Sequence, residues 1–306
     1  MRKIILDCDP GHDDAFALLL AGKDQEIDLL GITVVSGNQT LEKTGINTLN
    51  LCQYLDIKTP VCLGASRPLI KEEEVCEVIH GDSGLDGFEF PNLKIGFDPR
   101  NACDFIIQTL LESKDKITFV TTGPLTNLAL AMRIQPKIID KIKEVIVMGG
   151  SIANGNVTPA AEFNIYTDPE AAHIVFKSGA PIKMFGLDVT RKLMVLPEII
   201  ERMKKINNSS SKLFVDLMKV FNENQFKVFA LPGGPLHDPI TIAYLIDPKI
   251  ATLKKVHCTI DLSHGSSYGR TNIDVFDYQH LPKNIEVAVD VNVDRFWDLI
   301  EDAIRK

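Results

Sequence analysis

The chain has 306 residues, 45% of them hydrophobic, which is enough to bury a large core. Its formal net charge of −8 argues against nucleic acid or an anionic membrane as the main partner, because both select for dense Lys and Arg. No apolar run is long enough to cross a bilayer, and no basic-then-apolar leader precedes the first predicted strand, so we expect a cytoplasmic protein.

The six cysteines lack the paired C-x-x-C spacing of a zinc site, and most lie in apolar surroundings. This pattern favours the buried, reduced thiols of a cytoplasmic protein over disulfides. No Pro-, Gly- or Ser-rich linker and no internal repeat divides the chain. We therefore expect residues 1–306 to form a single domain with insertions.

The first two-thirds of the chain alternates short apolar runs with helical patterns. Strands are predicted at "KIILDCD", "LLGITVVSG", "PVCLGA", "KITFVTTG", "EVIVMGG" and "IKMFGLDVT". Helices are predicted between several of them, at "DDAFALLLAGK", "TLEKTGINTLNLCQYL", "ACDFIIQTLLES", "PLTNLALAMRI" and "DPEAAHIVFKSG". Near-continuous apolar strands separated by helices are typical of a parallel sheet that is covered on both faces.

The last third begins with three successive predicted helices, at "PEIIERMKKI", "SSKLFVDLMKVFNENQF" and "HDPITIAYLI". Strands are then predicted at "KKVHCTIDLS", "RTNIDVF" and "NIEVAVDVN", and "DRFWDLIEDAIR" closes the chain as a helix. The predicted fold class is therefore α/β. We expect a doubly wound, mostly parallel central sheet with flanking helices and a helical insertion in the C-terminal third.

Several of the predicted strands end in polar residues. The first ends in four aspartates within eight residues, and the others end at or near Asn38, Thr121, Thr122, Met148 and Asp188. Ligands of doubly wound sheets bind at the carboxyl ends of the strands. We therefore expect these polar groups to share one rim of the sheet.

The aspartate cluster lies in "DCDPGHDD". Asp7 and Asp9 are two residues apart on a strand and so share a face, while Asp13 and Asp14 begin the next helix. Helix capping explains only the last two carboxylates. It leaves Asp7 and Asp9 without a basic partner at the end of a buried strand. A hard divalent cation resolves the repulsion, and all-oxygen ligands suit Ca²⁺ or Mg²⁺ better than zinc.

The same segment could also be a phosphate-binding loop or the nucleophile motif of a phosphatase. It has neither the GK[ST] of a P-loop nor a G-x-G-x-x-G after the strand. A strand ending in D-x-D also opens the haloacid-dehalogenase-like phosphatases, in which Asp7 would be the nucleophile and Asp9 the acid/base. Their loop normally continues with Gly-Thr, whereas Pro10 and Gly11 follow here. A Mg²⁺-dependent phosphatase stays open as the second hypothesis.

The stretch "DCDPGHDDAFALLLA" resembles the signature D-x-D-P-G-x-D-D-A-x-A of the inosine–uridine nucleoside hydrolases. The motifs "GITVVSGNQT", "HGDSGLDG", "TTGPLTNLA", "VIVMGG", "AEFNIYTDPEAA" and "GGPLHDP" follow in that family's order and approximate spacing, over nearly the whole chain. The resemblance implies a Ca²⁺-dependent enzyme that hydrolyses ribonucleosides to free base and ribose. It also implies a homo-oligomer, a dimer or a tetramer.

The resemblance carries the metal site over residue by residue. It makes Asp9 a ligand and the general base for the attacking water, and Asp14 a bidentate ligand. Thr122 matches a ligand that acts through its main-chain carbonyl, and Asp238 of "HDP" matches the last carboxylate. Asp7 is expected behind these ligands.

The resemblance also identifies residues expected to contact the sugar. Asp13 matches the partner of the ribose 2′-hydroxyl, and Asn38 a neighbour of the metal and its water. The remaining sugar contacts that it implies are Asn156, Glu162, Asn164 and Met148.

At the base end, His237 directly precedes a metal ligand, so we expect it near the rim of the site, and the resemblance implies that it is a contact and proton donor for the base. His80, in the glycine-rich "HGDSGLDG" loop, which we expect to be mobile, matches a histidine that faces the nucleobase in pyrimidine-preferring members. Gln225 fits the same pattern, which makes uridine and cytidine the favoured substrates. Phe229 departs from it, because pyrimidine-preferring members commonly carry a tyrosine there. A phenylalanine cannot relay a proton.

His12 occupies a variable motif position and is expected only to decorate the turn after the first strand. A nucleoside- or ribose-binding sensor without turnover is the third hypothesis, and the presence of both Asp9 and His237 speaks against it.

Overall fold

A computed structural model describes residues 1–306 and contains one nine-stranded sheet. The strands are β1 Arg2–Cys8, β2 Ile27–Val34, β3 Val61–Leu63, β4 Ile117–Thr121, β5 Ile142–Met148, β6 Ile182–Phe185, β7 Ala251–Ile260, β8 Thr271–Asp274 and β9 Ile285–Val291. Their order across the sheet is β3-β2-β1-β4-β5-β6-β9-β7-β8. Strands β1 to β6 and β9 run parallel, and β7 pairs antiparallel with both β9 and β8. The predicted α/β fold is confirmed.

Twelve α-helices connect and cover the strands. They are α1 Asp14–Lys23, α2 Leu41–Tyr54, α3 Glu77–His80, α4 Ala102–Glu112, α5 Thr126–Ile134, α6 Phe163–Thr167, α7 Pro169–Phe176, α8 Leu187–Thr190, α9 Pro197–Lys204, α10 Ser209–Phe229, α11 Pro239–Ile246 and α12 Val293–Arg305. Short 3₁₀ turns lie at Pro136–Lys141 and Pro248–Ile250. Helices α9 to α11 form the predicted insertion before β7.

The strand order places a topological switch point between β1 and β4. The chain moves outward from β1 through β2 to β3, and β4 then returns to the other side of β1. Asp7 pairs with Thr121 across this boundary, and the Thr122 N–H donates to the Asp7 carbonyl at 2.9 Å. Ligands of doubly wound sheets collect at such a crevice. The residues that follow β1 and β4 are therefore adjacent at the position where a ligand is expected.

The sheet separates two apolar cores. Ile4 and Leu6 of β1 point into one core, together with α1, α10, α11 and α12, whereas Ile5 points into the other, with α4, α5 and α7. This alternation follows from the two-residue period of a strand. Helix α1 is buried from Asp14 to Ala21, because other helices cover it as well as the sheet. Its rigid burial fixes the aspartates at its first turn.

One predicted strand is shorter than expected. In "IKMFGLDVT" the strand ends at Phe185, and Leu187–Thr190 form a helical turn. Gly186 lies so close to the backbone of Gly150 that an added Cβ would be 2.7 Å from the Gly150 carbonyl. Asp188 then accepts hydrogen bonds from two N–H groups of the loop after β5, so the chain leaves the sheet to hold that loop.

Helix α10 has clear physical limits. Asn208 caps its N-terminus in a reciprocal capping box with Ser211. It ends at Ala230, which adopts a left-handed conformation with φ of 54°. The last turn of α10 and the loop that follows it then reach the carboxyl edge of the sheet. All six cysteines are free thiols, four of them buried, and no helix combines the length and hydrophobicity needed to span a membrane.

Candidate active site

Three carboxylates from distant parts of the chain meet at the switch point. Oxygens of Asp13, Asp14 and Asp238 lie within 4.8 Å of one another, and all three residues are buried. Asp14 is held by the Gly11 N–H at 3.0 Å and the Thr122 hydroxyl at 2.7 Å. Asp238 directly precedes α11. The sheet and α11 thus bring together residues that are more than 200 positions apart.

Asp9 lies beside this group of three and is connected to it through Asn38. The Asn38 backbone N–H donates to Asp9 Oδ2 at 2.7 Å, and its side-chain amide donates to Asp14 at 3.2 Å. Asp9 Oδ1 is buried and has no hydrogen-bond partner. A Cβ at Gly37 or Gly123 would lie 2.1 or 2.4 Å from the Asp9 carboxylate. Glycine at both positions makes room for Asp9.

The electrostatics of the cluster favour a cation. Burial, followed by the charges of neighbouring carboxylates, raises the pKa of Asp9 and of Asp238 well above the ordinary value. None of the clustered carboxylates forms a salt bridge with a lysine or arginine. The unpaired Asp9 oxygen and the all-oxygen donor set fit a hard divalent cation. The residues present can therefore hold a metal ion.

Asp7 belongs to a different environment. Its Oδ1 accepts hydrogen bonds from the Thr33 hydroxyl at 2.5 Å and from the Asn127 amide at 2.8 Å. Its other oxygen is buried without a partner, and burial raises the pKa of Asp7 to about 7. Asp7 therefore connects β1, β2 and α5.

A cavity of about 410 Å³ opens above the cluster. Asp13, Thr122 and Asp238 line its floor, and an apolar wall that includes Phe163 and Phe221 lies above them. Every predicted substrate-contacting residue lines this cavity: Asp13, Asn38, His80, Met148, Asn156, Glu162, Asn164, Gln225, Phe229 and His237. Asp9 and Asp14 lie beneath the floor.

The expected sugar-contacting residues are engaged with the protein backbone. Glu162 accepts from the N–H groups of Gly150 at 2.8 Å and Asn164 at 2.9 Å, and burial raises its pKa to about 6. The Asn164 amide donates to the Thr122 carbonyl at 2.6 Å and to the Met148 carbonyl at 3.1 Å. These bonds orient the polar wall, and the remaining lone pairs of the side chains stay available.

The two expected base-contacting histidines lie on opposite elements of the cavity. His237 Nδ1 is 2.7 Å from the Thr190 hydroxyl. Burial, and to a smaller extent the charge of Arg191, lowers the pKa of His237 to about 3, so its ring is neutral at pH 7. Burial likewise holds the pKa of His80 well below its ordinary value. His80 is already inside the cavity, because α3 and its loop lie against the site.

The expectation for His12 was wrong. Its ring is fully buried against His80 and Phe221 instead of decorating the turn. Pro10 and Gly11 turn the chain inward towards α10, so the residue after them points into the protein. Motif variability carried no information about this burial.

Sequence reasoning also missed two residues that support the site. Thr190 contacts His237, and Arg191 donates to the carbonyls of Asn154 and Gly155 at 3.2 and 2.7 Å. Arg191 therefore holds the loop that carries Asn156. The polar end of "GLDVT" was the one available signal, because it marked this segment as part of the rim.

A buried carboxylate cluster without basic partners, opening into a polar cavity at the switch point of a doubly wound sheet, defines an α/β enzyme equipped to bind a metal. The sequence model of the inosine-uridine preferring nucleoside hydrolases matches residues 4–298, and the chain belongs to this family. It is therefore an enzyme that hydrolyses the N-glycosidic bond of nucleosides. The family membership predicted from the motifs is confirmed.

Relatives and solved structures agree with this assignment. The chain is 47% identical to the pyrimidine-specific ribonucleoside hydrolase RihB of Escherichia coli O157:H7 (strain EC4115), over 99% of this chain and 97% of that protein. A purine-preferring ribonucleoside hydrolase from Gardnerella vaginalis superposes with a TM-score of 0.92 at 33% identity. A plant nucleoside hydrolase superposes with a TM-score of 0.93 at 31% identity. Each of these two matches covers 99% of both chains.

Proposed function

We propose that this enzyme is a Ca²⁺-dependent ribonucleoside hydrolase that prefers uridine and cytidine. The observation that carries the proposal is the 47% identity, along 99% of the chain, to an enzyme described as pyrimidine-specific. The cavity adds support, since His80 and Gln225 both line it. The only tryptophan of the chain, Trp297, packs against Phe214 and Phe296 in the core, so no indole is available to stack on a purine.

The proposed calcium ligands are Asp9, Asp14, Asp238 and the carbonyl of Thr122. All are oxygen donors, and the carbonyl retains a lone pair beyond its bond to Asn164. A bound cation would lower the pKa of a water molecule, would help to orient the ribose and would offset the carboxylate repulsion.

The side chains of the protein take the proton of the attacking water, bind the ribose and stabilise the transition state. Asp9 Oδ1, which has no other partner, takes the proton of the attacking water. Asp13 and the amides of Asn38, Asn156 and Asn164 bind and orient the ribose. Glu162 aligns this wall through its backbone bonds and accepts a further hydroxyl. The concentrated negative charge stabilises the oxocarbenium-like transition state of glycosidic cleavage.

His80 and His237 handle the departing base. Phe229, half-exposed at the mouth of the cavity, contributes apolar surface one helical turn after Gln225. A neutral imidazole has one N–H donor, which suits hydrogen bonding to a pyrimidine carbonyl as negative charge develops on the base.

The direct test is reducing-sugar release from uridine, cytidine, inosine and adenosine, with metal-replete and chelator-treated enzyme. We expect turnover of the pyrimidine nucleosides to be fastest, to stop on chelation and to return with Ca²⁺ more fully than with Mg²⁺. Absence of release from any ribonucleoside would overturn the proposed function. Faster release from inosine than from uridine would overturn the base preference alone, and tight uridine binding without turnover would support the sensor hypothesis.

Asp7→Asn distinguishes this function from the phosphatase hypothesis. The amide oxygen can keep the bonds from Thr33 and Asn127, so we expect nucleoside turnover within about threefold of the parent enzyme, a change below ~1 kcal/mol. A phosphatase would need Asp7 as its nucleophile. Loss of uridine turnover with normal folding would contradict the supporting role of Asp7, and phosphate release from a phosphomonoester that depends on Asp7 would support the phosphatase hypothesis.

We also propose a cytoplasmic homo-oligomer, a dimer or tetramer of single-domain subunits. Phe276 and Tyr278 are more than three-quarters exposed, and burying such aromatic surface favours association. Light scattering of the purified protein tests this, and a monomer at micromolar concentration would contradict it.

A further inference from the structure

His12, which the proposed mechanism does not use, is packed against His80. The two rings stack with centroids 5.5 Å apart and an interplanar angle of 26°. His12 also stacks on Phe221 at 5.4 Å, and Phe221 lies 5.8 Å from the His80 ring, so the three rings form one cluster. His12 Nε2 is 2.8 Å from the Asp86 carbonyl, and His12 Nδ1 lies 3.3 Å from His80 Nδ1. The ring thus joins His80 to the loop that follows it.

The hydrogen-bond partners determine where the protons lie. A carbonyl only accepts, so His12 Nε2 carries a proton and donates it to Asp86. The backbone N–H of His12 is a donor with a fixed direction, and it points at His80 Nδ1 at 3.2 Å. His80 Nδ1 must therefore be unprotonated. The one proton of the neutral His80 ring then lies on Nε2, which has no partner within the protein.

The surrounding chain enforces this arrangement. A Cβ at Gly11 would lie 2.5 Å from His80 Nδ1, so only glycine permits the close approach. The Asp86 carboxylate closes its own loop by accepting from the N–H groups of Asp82 and Ser83 at 3.1 and 3.0 Å. Because His12 holds the Asp86 carbonyl, the position of this loop and the orientation of His80 are coupled.

We propose that His12 is a positioning residue that holds His80 as the Nε2–H tautomer, with its donor directed at a carbonyl acceptor of the nucleobase. The proposal rests on the proposed function, in which His80 faces the base. His12 touches no substrate and acts through the stack, the backbone donor and the contact with Asp86. Its effect should appear in the departure of the base and leave the ribose and metal contacts unchanged.

The tautomer can be observed without any substrate. Protein with ¹⁵N-labelled histidine rings is examined by long-range ¹H–¹⁵N correlation, and His80→Ala assigns the His80 signals. We expect the Nε2–H pattern for His80, with an unprotonated Nδ1. An Nδ1–H pattern would overturn the proposal. This measurement stays valid even if the enzyme turns over no nucleoside, so failure of the proposed function and failure of this inference are distinguishable.

A pair of variants tests the consequence. His12→Phe keeps the stack and loses the bond to Asp86, whereas His12→Gln places an amide donor near the position of Nε2. We expect His12→Phe to lower kcat for uridine about 10-fold, the effect of one lost hydrogen bond, and His12→Gln to restore most of it. For p-nitrophenyl riboside, whose leaving group needs no proton, both variants should resemble the parent.

The controls separate positioning from damage to the metal site. Because His12 adjoins Asp13 and Asp14, bound calcium is measured in both variants. We expect it to equal the calcium bound by the parent enzyme. His257→Phe, which removes a histidine bonded to the Pro282 carbonyl far from the cavity, serves as the matched histidine control. Equal losses on uridine and p-nitrophenyl riboside, or no difference between His12→Phe and His12→Gln, would overturn the proposal.

Discussion

Asp9→Asn is expected to lower kcat for uridine by about 10²- to 10⁴-fold, the range for loss of a general base, while the protein still folds and retains some bound calcium. The amide oxygen can keep the bond from the Asn38 N–H, which is 2.7 Å long in the structure. The amide nitrogen then replaces the oxygen that has no partner, and an amide cannot take the proton of the attacking water. Steady-state kinetics and metal analysis of the same preparation measure both effects.

Two matched variants serve as controls for Asp9→Asn. Asp14→Ala should lose calcium and turnover together, because it removes a ligand charge and the acceptor of bonds from Gly11, Asn38 and Thr122. Asp7→Asn makes the same chemical change two residues away and should leave turnover nearly unchanged. Near-normal turnover in Asp9→Asn would contradict the assignment of Asp9 as base.

His237→Ala is expected to lower kcat for uridine by about 10²- to 10³-fold, the usual cost of removing one hydrogen-bond donor to a developing negative charge, and to have little effect on p-nitrophenyl riboside. The p-nitrophenolate ion leaves without a proton, whereas a departing uracil gains from a donor. Thr190 fixes the orientation of the His237 ring, and Phe229 cannot replace its N–H. Parallel kinetics with the two substrates, and with His280→Ala as a surface control, measure the difference.

The comparison of the two substrates also distinguishes a role of His237 at the base from a role at the sugar or the metal. Equal losses on uridine and p-nitrophenyl riboside would mean that His237 positions the sugar or, through its neighbour Asp238, the metal. Uridine turnover that survives the combined His80→Ala and His237→Ala changes would contradict the proposal that these two histidines serve the base.

The sequence by itself was sufficient for the fold class and for the position of the aspartate cluster along the chain. Apolar runs separated by helical patterns required a covered parallel sheet, because a strand buried on both faces has no polar side. Four aspartates between two apolar runs could not be a solvated loop. The ordered motifs then identified the family, and every substrate-contacting residue that they implied lines one cavity.

Only the tertiary structure decided which of the neighbouring side chains in this segment reach the cavity and which are bonded elsewhere. Spacing along β1 made Asp7 and Asp9 look equivalent, yet Asp7 bonds to Thr33 and Asn127 whereas Asp9 reaches Asn38 at the site. His12 looked like a turn residue until α3 and α10 enclosed it. Local spacing determines the direction in which a side chain leaves the backbone. Its partners come from segments that are brought near by strand order and helix packing, and residues far apart in the chain carry no local mark of that proximity.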